Sequence, residues 1–263
     1  MVMDIKVLVA THKKYRMPKE QCYMPVHVGK KGKESIGYIG DDTNINISEK
    51  NPYFCELTGL YWGVKNLKCD YIGLVHYRRY FSNDNIAYKF SKNKFDHILS
   101  QKSMEEIFGD YDIILPKKRN YYIENLYSHY AHTHYSIHLD KTRNIISEYY
   151  NEYLKTFDEV MNRKSAHMFN MFIMKKNLAD EYCKWLFFIL SKLEKMIDIT
   201  EYDSFQARLF GRVSELLLDV WIEKNNVKYK EVPYMHMEKI NWIKKGKSFL
   251  NAKFRGVKFK ASF

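Results

Sequence analysis

The densest chemistry in this 263-residue chain stands at His76, Tyr77, Arg78 and Arg79. These residues follow directly on the apolar run Tyr71-Ile72-Gly73-Leu74-Val75, whose composition is that of a buried strand. In an open α/β sheet the carboxyl end of a central strand is where ligands bind. Adjacent guanidiniums there suit a pyrophosphate, because each planar fork pairs with two phosphate oxygens. The plainer reading is a pair of surface charges closing the sheet edge. A second basic stretch, Lys117-Lys118-Arg119 after the strand from Tyr111 to Pro116, argues for a shared anion site.

Other candidates lie around this centre. Thr11, His12 and Lys13 end a first strand over Ile5–Ala10, the usual opening of a nucleotide-binding fold, although no glycine-rich dinucleotide or phosphate loop follows. Asp41, Asp42 and Asn46 sit in a turn-rich loop, where paired aspartates either ligate a metal, hold a ribose or simply make the turn. His129, His132, His134 and His138 lie in a tyrosine-rich stretch without a zinc-binding HExxH pattern; it reads as a lid in which His132 or His134 touches a substrate. Asn170, inside an apolar strand over Met168–Lys176, needs hydrogen-bond partners and so braces a loop or meets a ligand. Glu215, at helical offsets from Arg208 and Arg212, is part of a salt-bridged helix face or a carboxylate aimed at the site. Glu56 near the start of a helix over Asn51–Asn66 is either a charge on the helix dipole or a site residue.

The elements that must position these groups alternate in type. Strand-like runs at Ile5–Ala10, Tyr23–Gly29, Tyr71–Val75, Tyr111–Pro116, Met168–Lys176 and Val227–Val232 are separated by amphipathic helices, including Asp180–Met196 and Tyr202–Glu223. The expected fold is α/β, a Rossmann-type mixed, mostly parallel sheet flanked by helices. Residues 1–243 are expected to form one domain and 244–263 a basic, aromatic tail, with seven Lys or Arg and no acidic residue. Such a tail reads as a segment drawn to an anionic membrane surface. The net charge of +12 calls for an anionic partner. No apolar run approaches the roughly 20 residues a membrane helix needs. The four cysteines form no CxxC pair and imply a reducing, cytoplasmic setting.

Several stretches carry a family resemblance: Ala10-Thr11-His12-Lys13, Asn46-Ile47-Ser48 through Cys55-Glu56-Leu57-Thr58 to Tyr61-Trp62, Gly73 to Phe81 with its HYRRYF run, Asn170 to Met174, and Phe210-Gly211 to Glu215. On these the chain resembles bacterial proteins carrying a domain of unknown function numbered 4422, found in capsular and surface polysaccharide gene clusters and regarded as glycosyltransferases. The resemblance implies a GT-A-like fold and a nucleotide-sugar donor, taken here as UDP-linked. It also implies a hexosyl transfer to a lipid-linked or oligosaccharide acceptor, by an enzyme peripheral to the inner face of the plasma membrane.

In that frame Thr11, His12, Lys13, Asp42, Asn46, Tyr77, Arg78, Arg79 and Lys117 hold the donor. Asn170, Met171 and His132 meet the acceptor, and Glu215 or His76 is the catalytic base. Many GT-A enzymes carry a metal-binding Asp-x-Asp where this chain has His76 to Arg79, so no metal is required on this reading; Mn²⁺ or Mg²⁺ held by Asp41 or Asp42 is the alternative. The rival functions are a non-catalytic carbohydrate-binding or scaffold protein of the same machinery, and a nucleic-acid binder. No nucleic-acid-binding motif supports the latter.

Overall fold

The computed structural model describes residues 3–84 and 86–238. The basic tail from Lys244 therefore lies outside the described residues. The chain divides into two compact units. The first comprises Met1–Lys117, Met168–Lys184 and Val227–Glu238; the second includes Lys118–His167 and Trp185–Asn226.

The first unit is built on strands β1 (Ile5–Thr11), β2 (Tyr23–His27), β3 (Ile39–Gly40), β4 (Tyr71–His76), β5 (Arg79–Phe81) and β6 (Ile113–Pro116). To the sheet they form, β9 (Phe172–Lys175), β10 (Tyr229–Val232) and β11 (Tyr234–His236) add three more. The nine-stranded sheet has the order β10-β6-β9-β4-β1-β2-β3, with β5 joining β4 to β11. Pairings are parallel except those of β9 and β5, so the sheet is mixed, as expected.

The alternation of β1 explains the layering. Val7 and Val9 point to one face, into a core with Tyr23, Tyr71, Met104 and Phe108. There α3 (Gln101–Phe108) packs, and the rings of Tyr71 and Phe108 stack at 3.9 Å. Leu8 points to the other face, against α2 (Leu57–Asn66). A Cβ at Gly63 of α2 would come within 2.4 Å of Leu8 Cδ1, so a glycine there lets helix and sheet close up. At Gly73 a Cβ would meet the Phe172 carbonyl and Ile173 Cγ1, each at 2.7 Å, which seats β9 tightly against β4.

The helix expected over Asn51–Asn66 is two helices, α1 (Asn51–Phe54) and α2, broken where Cys55 takes φ 55°. The strand expected from Met168 starts only at Phe172, because Phe169 and Asn170 adopt φ 77° and 53°. Asp41 is no open metal ligand. Fully buried, its carboxylate accepts the N–H of Gly29 and Lys30 and the hydroxyls of Ser48 and Thr58, fixing the loop after β2.

The second unit contains the pair β7 (Arg119–Asn120) and β8 (Ser165–Ala166), with α4 (Leu126–Thr133), α5 (Ile137–Tyr149) and α6 (Leu154–Met161). The end of α7 (Lys176–Met196) and all of α8 (Leu209–Lys224) complete it. The stretch read as a histidine lid is thus mostly helical. His134 and His138 turn inward: Tyr130 and Tyr202 hydroxyls contact His138 at 2.9 and 3.1 Å, and Gln206 contacts His134 at 3.0 Å, whereas His132 stays half-exposed.

Candidate functional site

Four backbone elements of the first unit meet at the carboxyl end of β4. The Tyr77 N–H donates to the Ala10 carbonyl at 3.2 Å, which holds the end of β4 beside the end of β1. Because β9 runs antiparallel to β4, its entry turn at Phe169–Asn170 comes to the same end. Glu56, the N-cap of α2, arrives there too, but its side chain does not cap its own helix. It reaches across instead, and its Oε1 accepts the Asn170 amide at 2.7 Å. The helix-dipole reading of Glu56 is thereby replaced by a specific contact. Asn170 is 2% exposed, and its carboxamide braces the turn.

His76 Nε2 lies 2.8 Å from the Phe169 carbonyl and 3.7 Å from Glu56 Oε1. A carbonyl only accepts, so Nε2 carries the proton and Nδ1 holds the lone pair. Burial pushes the His76 pKa below its ordinary value; Glu56 opposes that shift, while Arg79 and Arg78 reinforce it. The ring is therefore neutral at neutral pH and able to accept a proton. Three non-glycine residues at positive φ, Cys55, Phe169 and Asn170, surround this group. Such backbone costs on the order of 1–3 kcal/mol each and concentrates where geometry serves function.

The two arginines diverge. Arg79 stacks its guanidinium on the Phe169 ring at 4.3 Å, on the side of His76. Arg78 lies 5.4 Å from the Tyr77 ring and 3.7 Å from Glu238 Oε2. Lys13 sits over the same Tyr77 ring at 5.1 Å and 3.8 Å from Glu238 Oε1. Two cations from the ends of β1 and β4 thus converge on one carboxylate. His12 meets Tyr77 edge-on at 5.4 Å, and Tyr15 does so at 5.0 Å.

The remaining candidates are placed as follows. Thr11 is buried, with its hydroxyl on the Lys13 carbonyl at 2.6 Å, so it shapes the loop that carries Lys13. Asp42 lies 3.9 Å from Lys30, and the Asn46 amide folds back on the Asn44 carbonyl at 2.9 Å. Lys117 is exposed beyond β6, its N–H on the Val232 carbonyl. Met171 is fully buried in the core cluster and offers an acceptor no surface.

His132 and Glu215 belong to the second unit. His132 Nδ1 contacts the buried Glu124 carboxylate at 2.7 Å, and His129 contacts its other oxygen at 3.3 Å. Glu215 is half-buried in α8, where with burial and Tyr202 it helps raise the Tyr130 phenol pKa. The sequence alone leaves Glu56 open and carries no signal for Phe169 or Glu238, since a ring-to-carbonyl contact and a carboxylate between cations leave no motif.

A family profile described as a domain of unknown function, DUF4422, matches residues 6–226. The chain belongs to this family. A DUF4422 identity agrees with the HYRRYF run that forms the end of β4 and the start of β5. Among solved structures the chain is similar to the WbbM bifunctional glycosyltransferase in its apo form, at 30% identity and a TM-score of 0.81. The match covers 90% of this chain and 46% of that one, so the chain spans about half the length of that protein. No curated protein matches significantly. Among the described residues no group of three or more His, Cys, Asp and Glu is placed to hold a metal ion. None of their helices is long and apolar enough to cross a membrane.

Proposed function

We propose that this DUF4422 chain is a glycosyltransferase, moving a hexosyl group from a UDP-linked donor to a lipid-linked oligosaccharide at the inner face of a membrane. The observation that carries the reading is the convergence of Lys13 and Arg78 on the Glu238 carboxylate, at the carboxyl ends of β1 and β4. A pair that grips a carboxylate suits a diphosphate, which brings more charge to the same place. Tyr77, flanked by His12, Tyr15 and Lys13, offers the aromatic surface on which a base or ribose rests.

His76 is the general base. In the proposed step the acceptor hydroxyl oxygen attacks the anomeric carbon, and its proton passes to His76 Nδ1. The bond from that carbon to the diphosphate oxygen breaks, and UDP leaves with the electron pair. Negative charge then grows on the diphosphate, where Arg78 and Lys13 stabilise it without a metal. Glu56 and the Phe169 carbonyl steady the imidazolium, as the third member of a nucleophile–base–orienter set does. A single displacement of this kind inverts the anomeric configuration.

The test is a thermal-shift screen of nucleotides and nucleotide sugars with Mn²⁺ or EDTA, followed by the anomer of the product. Stabilisation by UDP that EDTA leaves unchanged and Arg78→Ala removes supports the donor site. No shift with any nucleotide refutes it, and a retained anomeric configuration refutes His76 as base.

A further inference from the structure

Opposite chemistries meet on one short surface loop after β5. Ile86 is 58% exposed and Phe90 is 84% exposed, and they bracket the single helical turn Ala87–Lys89. Phe90 has the largest fractional exposure among the exposed large hydrophobic side chains described. Between and beside the two apolar residues stand Lys89 and Lys92, both exposed. No acidic residue falls between Ile86 and Phe95. Burying an exposed phenylalanine normally stabilises a fold, so leaving two large apolar side chains in water beside lysines is informative.

The loop is not loosely attached. Asp84 accepts the backbone N–H of Ile86 at 3.1 Å and that of Tyr88 at 3.3 Å, and contacts the His97 ring at 2.6 Å. Ser82, Asn83 and Leu99 tie both ends of the excursion to each other. Lys94, just beyond the tip, spends its ammonium on the carbonyls of His236 and Met237, at 2.7 and 3.2 Å. Those are the residues from which the chain goes on, after Glu238, toward the basic and aromatic sequence of residues 244–263. The loop and the end of β11 are thus fastened together, and Arg78 and Lys13 contact Glu238 just beyond it.

We propose that Ile86 and Phe90 insert into an anionic lipid surface while Lys89 and Lys92 engage its headgroups. Apolar tips flanked by ammonium groups match a bilayer interface, where rings enter the acyl boundary and each lysine is worth about a fivefold gain in binding. A soluble protein partner would meet the apolar pair but would not need the lysines. The inference deepens the lipid-linked-acceptor reading and rests on it for its purpose, but its test is separate. Held in this way, the end of β4 faces its acceptor from a membrane-bound position, and a lipid-borne sugar diffuses to it in two dimensions.

The test is flotation of the full chain with vesicles of phosphatidylcholine alone or with about a third phosphatidylglycerol. The wild-type chain is expected to float with the anionic vesicles and to stay behind with the neutral ones. The pair Ile86→Asp with Phe90→Asp is expected to lower the bound fraction at least tenfold, as is Lys89→Glu with Lys92→Glu. Both double variants should keep the wild-type unfolding temperature and rate of donor hydrolysis, because the side chains are exposed. Wild-type flotation by the Asp variant refutes the proposal. So does release caused only by Lys→Gln changes in residues 244–260, or binding to an oligonucleotide with no binding to vesicles. Loss of donor hydrolysis in the wild-type chain bears on the transferase reading alone, since flotation is scored without donor or acceptor.

Discussion

The hydrogen bond from His76 Nε2 to the Phe169 carbonyl decides which ring nitrogen is free to take a proton. His76→Ala should lower the transfer rate by about 10²–10⁴-fold with little change in UDP affinity, measured by initial rates and by titration of UDP. Glu56→Gln keeps the hydrogen bond to Asn170 but removes the charge, and should cost less. Because burial depresses the His76 pKa, transfer should persist below pH 6.5 in wild type and fail on the acid side. In Glu56→Gln the acid limb should move further down, since Glu56 opposes the depression. Arg78→Ala and Lys13→Ala each remove one cation from the proposed diphosphate site. Each should weaken UDP binding about tenfold by isothermal titration, equally with EDTA or Mn²⁺.

At the scale of elements, tight pairing of β4 and β9 places Asn170 opposite the end of β4. Gly73→Ala sets a methyl against the backbone carbonyl of Phe172, which no rotamer change relieves. The expected loss is about 1–3 kcal/mol in urea unfolding, with a drop in transfer rate because the Phe169–Asn170 turn shifts with β9. The sequence made β1, β4 and β6 legible through apolar runs and a clear polar boundary. It hid the break at Cys55 and the turn at Phe169–Asn170, because neither position carries the glycine that marks positive φ. It also hid α4 and α5, whose inward faces carry Thr133, His138 and Thr142 among their apolar side chains and so blur the stripe that marks a helix.

For the whole molecule, those inward histidines couple stability to pH. Burial, reinforced by Arg212, lowers the pKa of His134 to about 3 and of His138 to about 4. His129 is lowered to about 4 by burial and Arg119, against Glu124. Above pH 6.5 these rings are neutral both folded and unfolded, and pH does not matter to them. Below 6.5 the unfolded chain takes up protons that the folded chain refuses. Stability should therefore fall as pH drops from about 6.5 and level off near 3–4, with each buried histidine contributing about 1.4 kcal/mol per pH unit. Urea unfolding at pH 7.5, 6 and 5 checks this: a midpoint that holds steady across the range would contradict it. His134→Gln with His138→Gln should flatten the slope, since amides can hydrogen-bond without titrating.

Local sequence by itself determined the strand ends that carry Lys13, His76, Arg78 and Arg79, because apolar runs and abrupt polar boundaries are properties of neighbouring residues. It also determined the α/β class, and its net charge of +12 is what motivates the proposal of an anionic partner. Only the tertiary structure decided that Glu56 belongs to Asn170 and lies near His76, that Glu238 lies between Lys13 and Arg78, and that Asp41 is committed to the backbone and hydroxyls of its own loop region. These partners are up to 225 residues apart, as Lys13 and Glu238 are, and their pairing depends on β9 entering antiparallel beside β4 and on β11 returning beside β5. Chain topology, not residue type, brings those side chains within reach of one another.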